Sequence, residues 1–213
     1  MIVLGTGTEV GKTWVMAGLA EALAAGPGLV RVRKPVQSFA PEEGRTDADV
    51  LASASGEPAR EVCPPHRWYP LAMAPPMAAE ALGRAPFTIS ELVGETTWPD
   101  AVRVGLVEGA GGVRSPLALD GDCIDLVQAM RPDAVVLVAD AGLGAINLVR
   151  LSAGALAGLA VLVHLNRFDP TDDLHRRNKE WIERDGLQVE TGVEGLARRL
   201  ATCHCRADRS SAP

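Results

Sequence analysis

With 213 residues, 47% of them hydrophobic and 4% aromatic, the chain has the size of one α/β domain whose core must be built mainly from Ala, Val and Leu. A net charge of −6, from 27 acidic against 21 basic residues, excludes a general nucleic-acid surface but leaves room for a local anion site. No apolar run is long enough to span a bilayer, no basic leader precedes the first strand, and Cys63, Cys123, Cys203 and Cys205 are too scattered for a disulfide framework, so the expectation is a cytoplasmic protein.

In chain order, strand-like and helix-like stretches alternate, the pattern of a parallel sheet covered on both faces. Met1 to Leu4 reads as a strand, and Trp14 to Ala20 as the body of a helix ending near Gly26-Pro27-Gly28. Leu29 to Arg33 is a second strand, taken as the neighbour of the first, and Asp47 to Ala52 a helix start with acids in its first turn. The proline-rich stretch from Cys63 to Met77 cannot be one regular element. Helices follow near Met77 to Leu82 and Ile89 to Thr96, then a strand from Val102 to Val107 that stops at a turn, Glu108 to Gly112. Ile124 to Met130 is helical, Ala134 to Ala139 a fully buried strand, and a helix opens near Ala145-Ile146-Asn147. Leu159 to Leu165 is the next strand, ending at Asn166-Arg167. A charged helix (Asp172 to Arg184), a short segment at Leu187 to Val189 and a helix near Val193 to Leu200 complete one domain, 1–200, with a flexible tail at 201–213.

The most informative stretch is Gly5-Thr6-Gly7-Thr8-Glu9-Val10-Gly11-Lys12-Thr13, between the first strand and the first helix. Strand, glycine-bearing turn, Gly-Lys-Thr and helix are the context of a phosphate-binding loop, in which backbone N–H groups and the helix dipole hold an anion. Lys12 is then placed to reach the β- and γ-phosphates and Thr13 to ligate Mg²⁺. Five residues separate Gly5 from Gly11, so the usual first glycine position falls on Thr6.

Ligands of open parallel sheets lie beyond the carboxyl ends of the strands, and Lys34, Glu108 and Asn166 fall at such ends. Lys12, Lys34 and Lys179 are the only lysines of an arginine-biased chain, and a compact ammonium at residue 34 can aim at the same phosphates as Lys12. Glu108, before Gly109-Ala110-Gly111-Gly112, is placed to meet a metal. Asp47 either ligates metal or caps its helix, with Asp49 as its rival. Gly142 to Asn147 is either an anion-holding helix start or a plain turn, and Ser38 either meets a polar substrate or is an ordinary loop serine. His66, His164 and His175 lack ligand spacing and read as structural; Cys203-His204-Cys205 reads as part of the tail rather than a metal site.

Together, Gly-Thr-Gly-Thr-Glu-Val-Gly-Lys-Thr (5–13), Lys-Pro-Val-Gln-Ser (34–38), Thr-Asp-Ala (46–48), Val-Glu-Gly-Ala-Gly-Gly (107–112) and Gly-Ala-Ile-Asn (144–147) resemble the dethiobiotin synthetase family, from residue 1 to about 170. The resemblance implies a seven-stranded P-loop NTPase-like fold in three layers and a homodimer with the active site at the subunit interface, without nucleic-acid or membrane partners. It implies ATP, CO₂ and diaminopelargonate as substrates and Mg²⁺ as cofactor. By the same carry-over Lys12 and Lys34 are catalytic, Thr13, Asp47 and Glu108 hold the metal, and Thr8 and Ser38 contact the diamine. Glu9, Val10, Gly11, Lys12, Thr13 and Trp14, with Asp47, Glu108, Gly109, Ala110, Gly111, Asn166 and Arg167, contact ATP. Gly144, Ala145, Ile146 and Asn147 of the partner subunit receive the substrate carboxylate. Phe39 departs from the family's usual glycine, Gly7 from an aspartate of some members, and the later adenine-contacting loop is replaced around Thr191-Gly192-Val193. The alternatives are a paralogue acting on another diamine and a P-loop switch or partitioning ATPase; Gly7 stands where the latter carry a second lysine.

Overall fold

The computed structural model describes residues 1–42 and 44–207, with side chains as far as residue 201. The first half of the chain runs β1 (Ile2–Gly5), α1 (Lys12–Ala24), β2 (Leu29–Arg33), β3 (Gln37–Ser38), α2 (Asp47–Ser55), α3 (Ala59–Val62), β4 (Trp68–Tyr69), α4 (Pro75–Ala81) and α5 (Ile89–Glu95). It continues with β5 (Val102–Gly112), β6 (Pro116–Ala118), β7 (Gly121–Asp122), α6 (Cys123–Met130), β8 (Val135–Asp140) and α7 (Ala145–Ala155). The last elements are β9 (Val161–Asn166), α8 (Asp173–Arg184), β10 (Gln188–Glu190) and α9 (Val193–Ala207). Thus helix continues as far as Ala207 in the segment read as a tail, and residues 208–213 lie outside the described residues.

The central sheet has the order β10-β9-β8-β1-β5-β2, with every neighbouring pair parallel. Among the described residues it has six strands rather than the seven that the family resemblance implies. The remaining segments are short and pair off the sheet: β3 with β4, and β6 with β7. The order also corrects the expected pairing of β1 with β2, because β5 lies between them.

Alternation along the strands builds two cores, one per face. Ile2, Leu4, Leu137 and Val163 face α4 to α8, where Ala78, Leu92, Leu126, Val149 and Ile182 are buried. Val3, Val32, Leu106 and Val136 face α1, α2 and α9, meeting Val15, Leu19, Leu51 and Leu196. The result is helix, sheet and helix in three layers, the arrangement that covers a parallel sheet.

β5 runs through the glycines where a turn was expected. Val3 pairs with Glu108 and Gly5 with Gly112, so β5 gains residues relative to β1 and bulges, with Gly111 at φ 66°. Glu108 therefore sits within a strand. Alternation from Leu106 puts its side chain on the α1/α2 face.

Candidate functional site

Register brings the site together. Val32 of β2 pairs with Leu106 of β5 and Arg33 with Val107, so the next step sets Lys34 beside Glu108, on the face that holds Val30 and Val32. Lys34 Nζ lies 2.6 Å from Glu108 Oε1 and 2.5 Å from Asp47 Oδ2, with Lys34 2% and Glu108 1% exposed. The lysine is turned inward.

Asp47 is free to take part because others cap its helix. The Thr46 side chain accepts the Asp49 N–H, and the Asp49 carboxylate accepts the Thr46 N–H, closing a capping box. Gln37 Oε1 accepts the Ala48 N–H at 3.0 Å. Of the two roles open to Asp47 in the sequence, capping goes to Thr46. The Asp47 carboxylate instead meets the Thr13 hydroxyl at 2.9 Å, and the same hydroxyl lies 2.8 Å from Glu108 Oε1.

The loop before Thr13 is curled tightly. A Cβ on Gly5 would come within 2.9 Å of Gly7 O, Val10 and Lys12, and Gly11 turns into α1 at φ 89°. Lys12 Nζ donates to Gly7 O at 3.0 Å. The end of β9 braces the outside of this loop: Asn166 Nδ2 donates to Val10 O at 3.0 Å and Arg167 to Glu9 O at 2.8 Å. Arg167 also pairs with Asp140 at 2.6 Å, whose other oxygen accepts the Gly142 N–H. Here two residues assigned to ATP contact support the loop backbone.

Electrostatics follow from this crowding. Burial would lower the Lys34 pKa, but Asp47 and Glu108 hold it above the usual lysine range. Burial and the nearby Lys34 ammonium press Lys12 below that range. Burial would raise Asp47, yet Lys34 and the Thr13 hydroxyl keep its carboxyl below the ordinary value. The donor set fits Mg²⁺. Thr13, Asp47 and Glu108 bring oxygens together, and the buried Glu108 Oε2 has no partner among the described residues. Oxygen-only donors few in number suit a hard cation that takes its other ligands from water and phosphates.

The remaining predicted residues lie around this cluster. Gly109 O is 3.4 Å from Lys34 Nζ, and Ala110 O accepts from the Cys123 thiol at 3.5 Å, with Gly111 at the bulge. Trp14, Gly11, His164, Asn166, Arg167 and Val193 line a cavity of about 610 Å³ beside the loop. Thr8 is exposed on the loop, Ser38 donates to Met73 O at 2.6 Å, and Phe39 packs edge-on against Trp68. Gly144 (φ 92°), Ala145, Ile146 and Asn147 open α7 after β8, on the other side of β1 from β5 and β2 in the strand order. Sequence reading missed Gln37, Thr46 and Asp140. Only Thr46 carries a local signal, a threonine three residues before an acid.

A parallel sheet whose first strand feeds a Gly-Lys-Thr loop and helix, with lysines and carboxylates at the neighbouring strands, defines a P-loop nucleotide-binding protein. A family model described as an AAA domain matches residues 1–166. The ATP-dependent dethiobiotin synthetase BioD of Corynebacterium efficiens is 39% identical over 165 residues, 76% of this chain and 72% of that protein. The protein of the same name from Haloferax mediterranei is 37% identical over 186 residues (85% and 77%), and that from Chromohalobacter salexigens 35% over 233 (99% and 97%). The chain belongs to the ATP-dependent dethiobiotin synthetase family, a family of ligase-type enzymes.

Proposed function

We propose that this chain uses ATP and Mg²⁺ to carboxylate diaminopelargonate with CO₂ and close the ureido ring, giving dethiobiotin, ADP and phosphate in biotin synthesis, as a cytoplasmic homodimer. The observation that carries the reading is Lys34, buried and charged between Asp47 and Glu108 beside the phosphate loop of Lys12.

The reaction needs positive charge. One amine of the substrate adds to CO₂ and loses a proton, leaving a carbamate. A carbamate oxygen attacks the γ-phosphorus, and ADP departs with the oxygen that bridged the β- and γ-phosphorus atoms. The second amine then adds to the carbonyl carbon, phosphate leaves with the former carbamate oxygen, and loss of a proton completes the ring. The first transfer brings one anion to another. Lys12 and Lys34 counter that repulsion and stabilise charge on the moving phosphoryl group. Thr13, Asp47 and Glu108 would hold Mg²⁺, which when bound neutralises charge on the β- and γ-phosphates.

Thr8 and Ser38 contact the diamine, and the cavity beside Asn166 takes the base. Gly144 to Asn147 of the partner subunit would bind the substrate carboxylate. Within one chain they follow β8, which β1 and β5 separate from β2 in the sheet. Phosphate release should require both diaminopelargonate and bicarbonate, with a product mass one CO₂ higher and one water lower than the diamine. Hydrolysis unaffected by the diamine would overturn the reading in favour of a switch ATPase.

A further inference from the structure

Gln37 has no part in the chemistry above, yet it is 1% exposed and holds the helix that carries Asp47. Its Oε1 accepts the N–H of Ala48, the second residue of α2. First-turn amides have no partner within their own helix, so each needs an acceptor from elsewhere. Thr46 supplies one for Asp49, and Gln37 supplies the one for Ala48. The other half of the amide, Nε2, is buried without a partner among the described residues. Methionine or leucine would fill the same space without that cost, so packing alone does not explain a glutamine here.

The consequence concerns Asp47. An aspartate in a first helical turn readily turns back to satisfy free amides of its own backbone. With Ala48 already served, the carboxylate is left to reach Thr13 and Lys34. The backbone of Gln37 is itself fixed by pairing with Trp68. We propose that Gln37 is a positioning residue for the metal site: by holding the Ala48 N–H it keeps the Asp47 carboxylate aimed at Thr13, and so sets the affinity for Mg²⁺. This rests on the reading of Thr13, Asp47 and Glu108 as the Mg²⁺ ligands.

The test is calorimetric titration of a non-hydrolysable ATP analogue at graded Mg²⁺, on the full chain. Gln37→Met removes the acceptor at similar length, and Gln37→Glu keeps it. Gln37→Met should raise the Mg²⁺ concentration for half-maximal binding about tenfold, as loss of outer hydrogen-bonding partners of metal ligands does, with binding in EDTA unchanged. Gln37→Glu should stay within about threefold of the unaltered chain, since the Ala48 N–H keeps its acceptor. In an Asp47→Asn background Gln37→Met should add nothing, because its effect passes through Asp47. An unchanged Mg²⁺ dependence in Gln37→Met, or a full effect persisting on Asp47→Asn, overturns the proposal while leaving the metal site standing. Absence of any Mg²⁺ dependence in the unaltered chain overturns both. Should Gln37→Met fail to fold, Gln37→Asn, whose amide falls one methylene short of Ala48, takes its place with the same expected shift.

Discussion

Lys34 joins stability to the proposed function at a single residue. Its ammonium is the cation between two carboxylates, one of them fully buried. Removing one partner of a buried ion pair costs about 3–5 kcal/mol, because the charge left behind is uncompensated. Lys34→Gln should therefore lower the melting temperature and abolish ring closure while keeping nucleotide binding. Mg²⁺ should restore more of its stability than it adds to the unaltered chain. Calorimetric melts with and without Mg²⁺ check this; an equal Mg²⁺ increment in both would detach the metal from these carboxylates.

His164 makes a second test at the same scale. It is 1% exposed, with burial pushing its pKa from the usual value down to about 4 against a weak opposing pull from Glu190. The unfolded chain binds a proton on this residue near pH 6.5 and the folded chain only near 4, so stability should fall as pH drops through that window. The loss is about 3.5 kcal/mol at most, from about 1.4 kcal/mol per pKa unit over the interval from 6.5 to about 4. His164→Gln should flatten denaturant-measured stability between those values; an unchanged slope would place the acid sensitivity elsewhere. The clustering of Lys34, Asp47, Thr13 and Glu108 was legible in the sequence because each was read at a strand end or a helix start, where position implies direction. The bracing bonds from Asn166 and Arg167 to Val10 and Glu9 were not, since no local pattern records a contact across so much chain.

Among the elements, the phosphate loop depends on Gly11. Its φ of 89° suits glycine, and a Cβ there would stand 2.1 Å from Asn166 Nδ2. Left-handed backbone costs an L-residue roughly 1–2 kcal/mol before any clash, so Gly11→Ala should weaken ATP binding by about tenfold or more. Titration calorimetry reads this directly, and unaltered affinity would mean that the loop tolerates displacement of Asn166. Element types followed from periodicity, most plainly for β8 and for α8 with its charged outer face. Glycines misled the reading of β5: with Ala110 the one side chain among Gly109, Gly111 and Gly112, the stretch shows no alternation, and the bulge against β1 appears only in the pairing. The seventh strand was expected from the family resemblance alone; the strands read from the residues number six, counting the short segment at Leu187 to Val189, and the two-residue stretches β3 and β4, too short to show a period, pair with each other off the sheet.

For the whole molecule, the start of α7 bears on assembly. Leu143 is 91% exposed and Leu151 67%, with Leu148 also open, all close to the helix start proposed to receive a partner's substrate. A homodimer formed over this surface would bury them. Leu151→Glu should shift sedimentation from dimer to monomer and abolish synthesis while leaving ATP binding intact. A dimer of unchanged stability would place the interface on another face.

The central claim is that the lysines and carboxylates at this edge of the sheet bring a carbamate oxygen onto the γ-phosphorus. Bicarbonate labelled with ¹⁸O in all positions decides it in one measurement. The oxygen that attacks phosphorus leaves with it, so mass spectrometry of the phosphate released during dethiobiotin formation should show one ¹⁸O atom per turnover. Phosphate that carries oxygen only from ATP and water, while the product still forms, would contradict it.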